Sequence, residues 1–271
     1  MNKFISNTKL FFVVIHNTIK YGLWKATLRK IFQQTLEDKV SPDVIQWYKD
    51  NAISIESFTS KYGIDIDENI ISNQMIEIIN EREANDTSEH NRNIKRNRMG
   101  GFANVPLIYS IVRDLKRKMC IECGVSMGAS TFAILSALDF NQDGKLASND
   151  LPYIWMKNPI EKIGILVPED LKHRWKLFIG DDRDNLPKIF KEYKDIDFVH
   201  YDSNKSYEAR EFFCKSIMKY LAEDSIVIFD DIIDNDHFYD LLKRLDNNWS
   251  SYVLYDGIKY VGVLLRASNT Q

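Results

Sequence analysis

The stretch Ile121-Glu122-Cys123-Gly124-Val125-Ser126-Met127-Gly128-Ala129-Ser130-Thr131 constrains this 271-residue chain more than any other. A short apolar run, Met119 to Ile121, ends in an acid. A turn with glycine at two close positions follows, and then an apolar helical pattern from Phe132 to Leu138. Glycine lets a backbone turn sharply and approach a ligand with no side chain in the way. The helix that follows offers its positive N-terminal end to that ligand. Strand, glycine turn and helix in this order build a nucleotide-type pocket at the carboxyl ends of an open α/β sheet.

The rest of the chain from about residue 103 alternates short apolar runs with helical patterns. Helices are expected over 105–115, 130–137, 186–193, 207–221 and 236–245. Strands are expected over 118–122, 145–148, 175–179, 196–201, 225–229, 251–255 and 260–266, the last two turning at Asp256-Gly257. Such alternation predicts a Rossmann-like, doubly wound α/β fold. Its sheet is mostly parallel and seven-stranded, with an antiparallel C-terminal strand. Residues 1–96 read as an N-terminal helical extension and 97–271 as the main domain. Asn17 to Leu36 has helical spacing, and Ser41-Pro42-Asp43 is a helix start. Glu81 to Arg98 is polar and charged, and Arg98 to Phe102, with Gly100-Gly101, reads as a flexible joint that could act as a lid. A 44% hydrophobic composition is enough for one core plus such an appendage.

Every parallel strand is tipped with a carboxylate. Glu122 ends the first, Asp150 lies just past the second, Asp181-Asp182 end the third, Asp202 the fourth and Asp230-Asp231 the fifth. Those ends share one rim in a parallel sheet, which makes the row a candidate binding site. The remaining features narrow the function. A net charge of -3 gives no case for nucleic-acid binding. Cys120, Cys123 and Cys214 are too few for a disulfide framework, and the chain is expected to be cytoplasmic. No segment has the apolar length of a membrane span. The basic N-terminal end with Phe11, Phe12 and Trp24 leaves a peripheral membrane contact open, and homo-oligomerisation is equally open. Asp139 to Asp150 also fits the spacing of an EF-hand calcium loop, although its twelfth residue is Asp and no second loop pairs with it. A polar turn, Asn141 to Gly144, leading into a strand is the preferred reading. A nicotinamide-dependent oxidoreductase would need glycine where Ser126 stands.

Over residues 97–266 the chain resembles the class I S-adenosylmethionine (SAM)-dependent methyltransferases. Glu122-Cys-Gly-Val-Ser-Met-Gly128 resembles their first motif, which implies that Glu122, Gly124, Ser126, Gly128 and Ser130 hold the amino-acid end of the cofactor. The resemblance places Asp150 on the ribose hydroxyls and Asp181 on the adenine side. Phe198-Val-His-Tyr-Asp202-Ser-Asn-Lys-Ser-Tyr207-Glu and Ile228-Phe-Asp230-Asp231-Ile resemble the group of Mg2+-dependent sugar O-methyltransferases and cephalosporin-hydroxylase-like proteins. That implies a Mg2+ ion on Asp202, Asp230 and Asp231, and a small-molecule acceptor such as a sugar or glycoside. Ser203 and Asn204 depart from the usual glycine-aspartate, and Ile232 stands where an aromatic is common. The implied reaction is in-line methyl transfer to a hydroxyl, with Asp202 as base or ligand and His200 and His237 as further candidate bases.

Overall fold

The computed structural model describes residues 2–33, 39–66, 73–74, 76–78 and 104–267. The joint at Arg98–Phe102 and the boundary at residues 96/97 lie outside them. The frame is one sheet of eight strands in the order β1-β7-β8-β6-β5-β2-β3-β4. They are β1 (Ala52–Ser54), β2 (Met119–Cys123), β3 (Lys145–Asp150), β4 (Trp175–Ile179), β5 (Ile196–Tyr201), β6 (Leu221–Phe229), β7 (Trp249–Tyr255) and β8 (Tyr260–Arg266). The run β4, β3, β2, β5, β6 is parallel throughout, and β8 lies antiparallel between β6 and β7. Central β2 is buried at every residue, as a strand covered on both faces must be.

Helices cover both faces. On one face lie α5 (Val105–Asp114) and α6 (Ala129–Phe140), whose apolar side chains pack with Cys120, Leu146, Phe198, Ile226 and Ile228. On the other lie α7 (Asp182–Glu192), α8 (Tyr207–Ile217) and α9 (His237–Leu242), packed with Ile121, Ala147, Val199 and Val227. Each strand therefore feeds the two layers with alternate residues. Cys120 and Cys123, three residues apart on β2, join opposite layers as free, buried thiols.

Several elements differ from the sequence expectation. The sheet has eight strands, not seven: Ala52–Ser54 pairs parallel with β7 inside a region read as wholly helical. Three residues are too few to show an alternating pattern. Asn17 to Leu36 is not one helix. Its described part splits into α1 (Asn2–Lys20) and α2 (Trp24–Gln33) at Gly22, whose φ of 66° ends a right-handed helix. Leu36 lies outside the described residues. After α3 (Pro42–Asn51), α4 (Ile55–Tyr62) completes this region. The Ser41 hydroxyl does not cap α3; it donates to Asp236 instead. Finally, α8 stops at Ile217 and Leu221 already opens β6.

The calcium-loop alternative fails on this geometry. Residues 145–150 form β3, which carries Asp150 about 20 Å from the turn at Gly144. Asp143 pairs with Lys118 at 2.7 Å, and Asp139 lies 3.5 Å from Arg174.

At the carboxyl ends, the ladder continues one residue beyond the strands. The amide of Gly124 donates to Asn149 O (2.9 Å), Asp202 to Cys123 O (2.8 Å), Asp230 to Tyr201 O (3.0 Å) and Gly180 to Asp150 O (2.8 Å). Gly124 has φ of 91°, and a Cβ there would lie 2.2 Å from the carbonyl oxygen of Asp202. Gly124→Ala is therefore expected to destabilise the fold by about 3 kcal/mol or more, because strain and a backbone clash add. Gly257→Ala has a similar φ of 92° but open space around the new Cβ, and should cost about 1 kcal/mol. Urea unfolding of the two variants against the parent chain measures the difference.

Candidate functional site

The extended ladder sets Asp150, Gly124, Asp202 and Asp230 side by side, one on each of four adjacent strands. Residues two apart on a strand share a face, so this row lies on the α5–α6 face, directly above Ser148, Glu122, His200 and Ile228. The only member without a side chain is Gly124, in the middle, which leaves a gap between Asp150 and Asp202.

On one side of the gap the turn after β2 is pinned from two directions. The Ser126 amide donates to Asp150 Oδ2 at 2.8 Å. Ser126 O and Met127 O accept from the amides of Gly164 and Leu166, both at 2.9 Å, in the long β3–β4 connection. Gly128 has φ of 96°, and a Cβ there would meet Gly164 Cα at 2.8 Å. Burial, with the charges of Glu122 and Asp182 nearby, pushes the Asp150 carboxyl up to about 7. Tyr153, from the same connection, brings its hydroxyl to 3.5 Å from Ser126 Oγ. Burial raises its pKa, and the charges on Asp150 and Asp202 add to this.

Beyond β4 the two neighbouring acids separate. Asp181 caps α7, accepting from the Arg183 amide at 2.8 Å, and also takes Arg29 Nη1 at 2.8 Å. Arg29 reaches from α2 and grips Asp184 with its second nitrogen. Asp182 turns inward, accepting from Asn149 (2.6 Å) and Ser203 (3.0 Å), and burial pushes it up to about 6.

On the other side of the gap, Asp202, Asp230 and Asp231 each offer an oxygen within 4.8 Å of the others. Lys205 extends among them, 2.5 Å from both Asp202 Oδ1 and Asp231 Oδ2 and 3.8 Å from Asp230, while Lys259 lies 2.6 Å from Asp230. Burial pulls Lys205 down, but the three carboxylates outweigh it and hold the ammonium above its ordinary pKa. An all-oxygen set of this kind fits a hard divalent cation such as Mg2+, which takes few protein ligands. An entering ion would take over from Lys205 the oxygens of Asp202 and Asp231.

The structure does not bring every expected residue to the rim. Glu122 is fully buried one pleat below Gly124, accepting from Ser130 (2.6 Å), Thr131 (2.7 Å) and Ser148 (2.8 Å). Glu122 and Ser130 thus form the joint between β2 and the first turn of α6. His200 is buried beside Glu122, with Nδ1 3.9 Å from Oε1 and no hydrogen-bond partner. His237 is buried between α8 and α9, 3.2 Å from Glu211, and burial holds its pKa down to about 4. Neither histidine opens onto the gap.

Sequence reading passed over Lys205, Tyr153 and Arg210. Arg210 on α8 is fully buried, and its Nη2 donates to the carbonyls of Asp230 (3.1 Å) and Asp231 (2.8 Å). Asn235 accepts from Arg210 at 3.5 Å and donates to Lys205 O at 2.7 Å, so one buried pair fixes both acid-bearing loops. Asp231 needs such support, because its φ of 49° is left-handed. Arg210 had a readable signal: it precedes Phe213, Cys214 and Ile217 at helical spacing, on the buried stripe.

Residues 121–232 match a protein family described as a methyltransferase domain. Among solved structures, the chain is similar to O-methyltransferases, among them the following three. The first, a putative O-methyltransferase from Klebsiella pneumoniae, is 14% identical over 79% of this chain and 96% of that one, with a TM-score of 0.52. An O-methyltransferase from Bacillus cereus in complex with SAH is 16% identical over 78% and 95%, TM-score 0.51. The O-methyltransferase TomG from Streptomyces achromogenes, involved in tomaymycin synthesis and in complex with SAM, is 16% identical over 79% and 96%, TM-score 0.51. No curated protein sequence matches the chain.

Two outcomes follow from the site's electrostatics. Arg210→Met leaves two buried carbonyls without donors and should cost about 3 kcal/mol in urea unfolding. Burial raises Asp150 and Asp182 to about 7 and about 6, above the ordinary carboxylate range, so the folded state holds more protons than the unfolded chain between those limits. Stability is then present in full below about pH 4 and declines as pH rises towards 7, by at most ~1.4 kcal/mol per pH unit for each group. Asp150→Asn should flatten that decline when unfolding is measured from pH 4 to 8.

Proposed function

Taking as premise a chain that carries a methyltransferase domain on a class I fold, we propose that it transfers the methyl group of SAM to a hydroxyl of a small molecule, a sugar or related polyol. The observation that carries this reading is the row Asp150–Gly124–Asp202–Asp230, with its gap at the glycine. One half of the row suits the methyl donor and the other half the acceptor.

In this reading the turn Gly124–Gly128 and the N-terminal end of α6 receive the donor's amino-acid end, since the glycines leave its backbone accessible. Asp150 accepts hydrogen bonds from the ribose hydroxyls; each carboxylate oxygen has two lone-pair sites, so the Ser126 amide leaves room. Asp181 serves the adenine side, with Arg29 fixing one of its oxygens. Tyr153 closes over the gap and excludes water.

The acceptor hydroxyl sits at Asp202, Asp230 and Asp231. Mg2+ held there supplies Lewis-acid polarisation of that hydroxyl. The acceptor's proton passes to the Asp202 carboxylate, while Lys205, held as an ammonium, supplies positive charge beside it. His200 and His237 take no part, because both are buried away from the gap. Holding donor carbon and acceptor oxygen in line is worth up to ~7–11 kcal/mol of the barrier. The sugar class rests on the resemblance of the segments around Asp202 and Asp230, and the O-methyltransferase neighbours support hydroxyl as the accepting group.

Calorimetric titration with SAM tests the donor half. Asp150→Ala should weaken binding at least about tenfold, or ~1.4 kcal/mol; unchanged affinity would reject this placement. Transfer of a labelled methyl group to a panel of sugars and glycosides tests the acceptor half. Turnover should fall on chelation and return with Mg2+, and turnover indifferent to chelator removes the metal from the reading.

A further inference from the structure

We propose that α1 and α2 form a docking surface for an anionic lipid bilayer. The first observation is an inverted helix. On α1, Phe11, Phe12, Ile15 and Ile19 fall within an arc of about 100°. All four are exposed, at 61%, 64%, 39% and 75%. The side of α1 that faces the protein carries a polar anchor instead: Asn17 is buried and donates to the carbonyls of Ile154 (2.7 Å) and Met156 (2.8 Å). The apolar side therefore points away from the fold.

The second helix also turns apolar side chains outward. Ala26 is buried, with Leu23 just ahead of the helix, while Trp24 and Leu28, four residues apart, stand out. Six large apolar side chains on two consecutive helices exceed the scattered exposure of an ordinary surface.

Charge identifies the occupant. Residues 2–33 contain Lys3, Lys9, Lys20, Lys25 and Lys30, besides Arg29, which is paired with Asp181 and Asp184, and no Asp or Glu, in a chain whose net charge is -3. Lys25 lies over the Trp24 ring at 5.4 Å and Lys20 over Tyr21 at 4.9 Å. Apolar side chains, a tryptophan and lysines on short helices are what an interfacial helix brings to a negatively charged membrane. A second copy of the chain would set like charges against each other. The polar stretch Asn80 to Arg98 offers only Ala84 and Ile94 as apolar cover. Among the described residues no helix is long and apolar enough to cross a membrane, so the contact lies on the surface.

The docking helices are fastened beside the pocket. Asn17 holds the connection that carries Tyr153, and Arg29 holds Asp181 and Asp184 at the start of α7. A bilayer on this face would lie next to the proposed donor-binding half of the rim.

The test is co-sedimentation of the full chain with phosphatidylcholine vesicles, with and without phosphatidylglycerol. We expect pelleting only with the anionic vesicles, weakening several-fold as salt rises. The double variant Phe11→Ser/Phe12→Ser should bind them about tenfold more weakly or less. Its SAM titration should match the parent chain, which shows an intact fold and keeps this result separate from the methyl-donor reading. No pelleting with any vesicle, or equal pelleting by the variant, overturns the proposal. So does light scattering that finds a stable dimer which the same variant splits, because the face would then be covered by a second copy.

Discussion

The site depends on four main-chain hydrogen bonds that carry the parallel ladder one residue past the strands. A carboxylate in a loop can point anywhere. A carboxylate whose own amide is bonded to the neighbouring strand is fixed in height and in face. Asp202 and Asp230 are held this way by Cys123 O and Tyr201 O, and Asp150 is held by lending its carbonyl to Gly180. The same bonds explain Gly124. With Asp202 drawn up to β2, its carbonyl occupies the space where a Cβ would stand, so only glycine completes the row. The gap between donor and acceptor halves is therefore a consequence of strand pairing.

A row of carboxylates also repels itself, and the two halves answer this differently. On the donor side the answer is burial: Asp150 and Asp182 sit where the protein favours their neutral forms, and hydroxyl and amide donors surround them. On the acceptor side the answer is tethered positive charge. Lys205 enters between the carboxylates while Lys259 pairs with Asp230, and Asp231 lies below its ordinary pKa because Lys205 outweighs its burial. Neutral hydroxyl partners suit the first half and cations the second. Arg210 lies behind both acid-bearing loops and contributes its hydrogen bonds to backbone carbonyls, so its charge stabilises the shape of the site.

Much of this was legible in the sequence where long-range pairing and local pattern agree. Trp175–Ile179, Ile196–Tyr201 and Tyr260–Arg266 are apolar runs bounded by polar turns, and they form strands with those bounds. Ala52–Ser54 is a strand only because β7 offers an edge, so nothing local marks it. The row of acids was legible from strand ends, but the depth of each acid was not. Glu122 shares a face with Gly124 one pleat lower, where Ser130 and Thr131 of the next helix reach it. Lys205 was missed for a different reason. A lysine three residues beyond an acid reads as a surface residue until the fold brings Asp230 and Asp231 to meet it.

The N-terminal helices show how polar contacts can orient a segment that looks separate in sequence, beside the apolar packing of Ala26, Val44, Tyr48 and Phe58. Asn17, Arg29 and Ser41 each cross to a different part of the main sheet's surroundings: the β3–β4 connection, the start of α7 and the turn before α9. Hydrogen bonds to buried carbonyls and carboxylates are directional, and so they fix orientation without consuming apolar surface. That division of labour leaves Phe11, Phe12, Ile15, Ile19, Trp24 and Leu28 outward while the helices remain fixed. Had α1 been anchored in the usual way, by its apolar stripe, the same residues would have been core and Asn17 would have faced water.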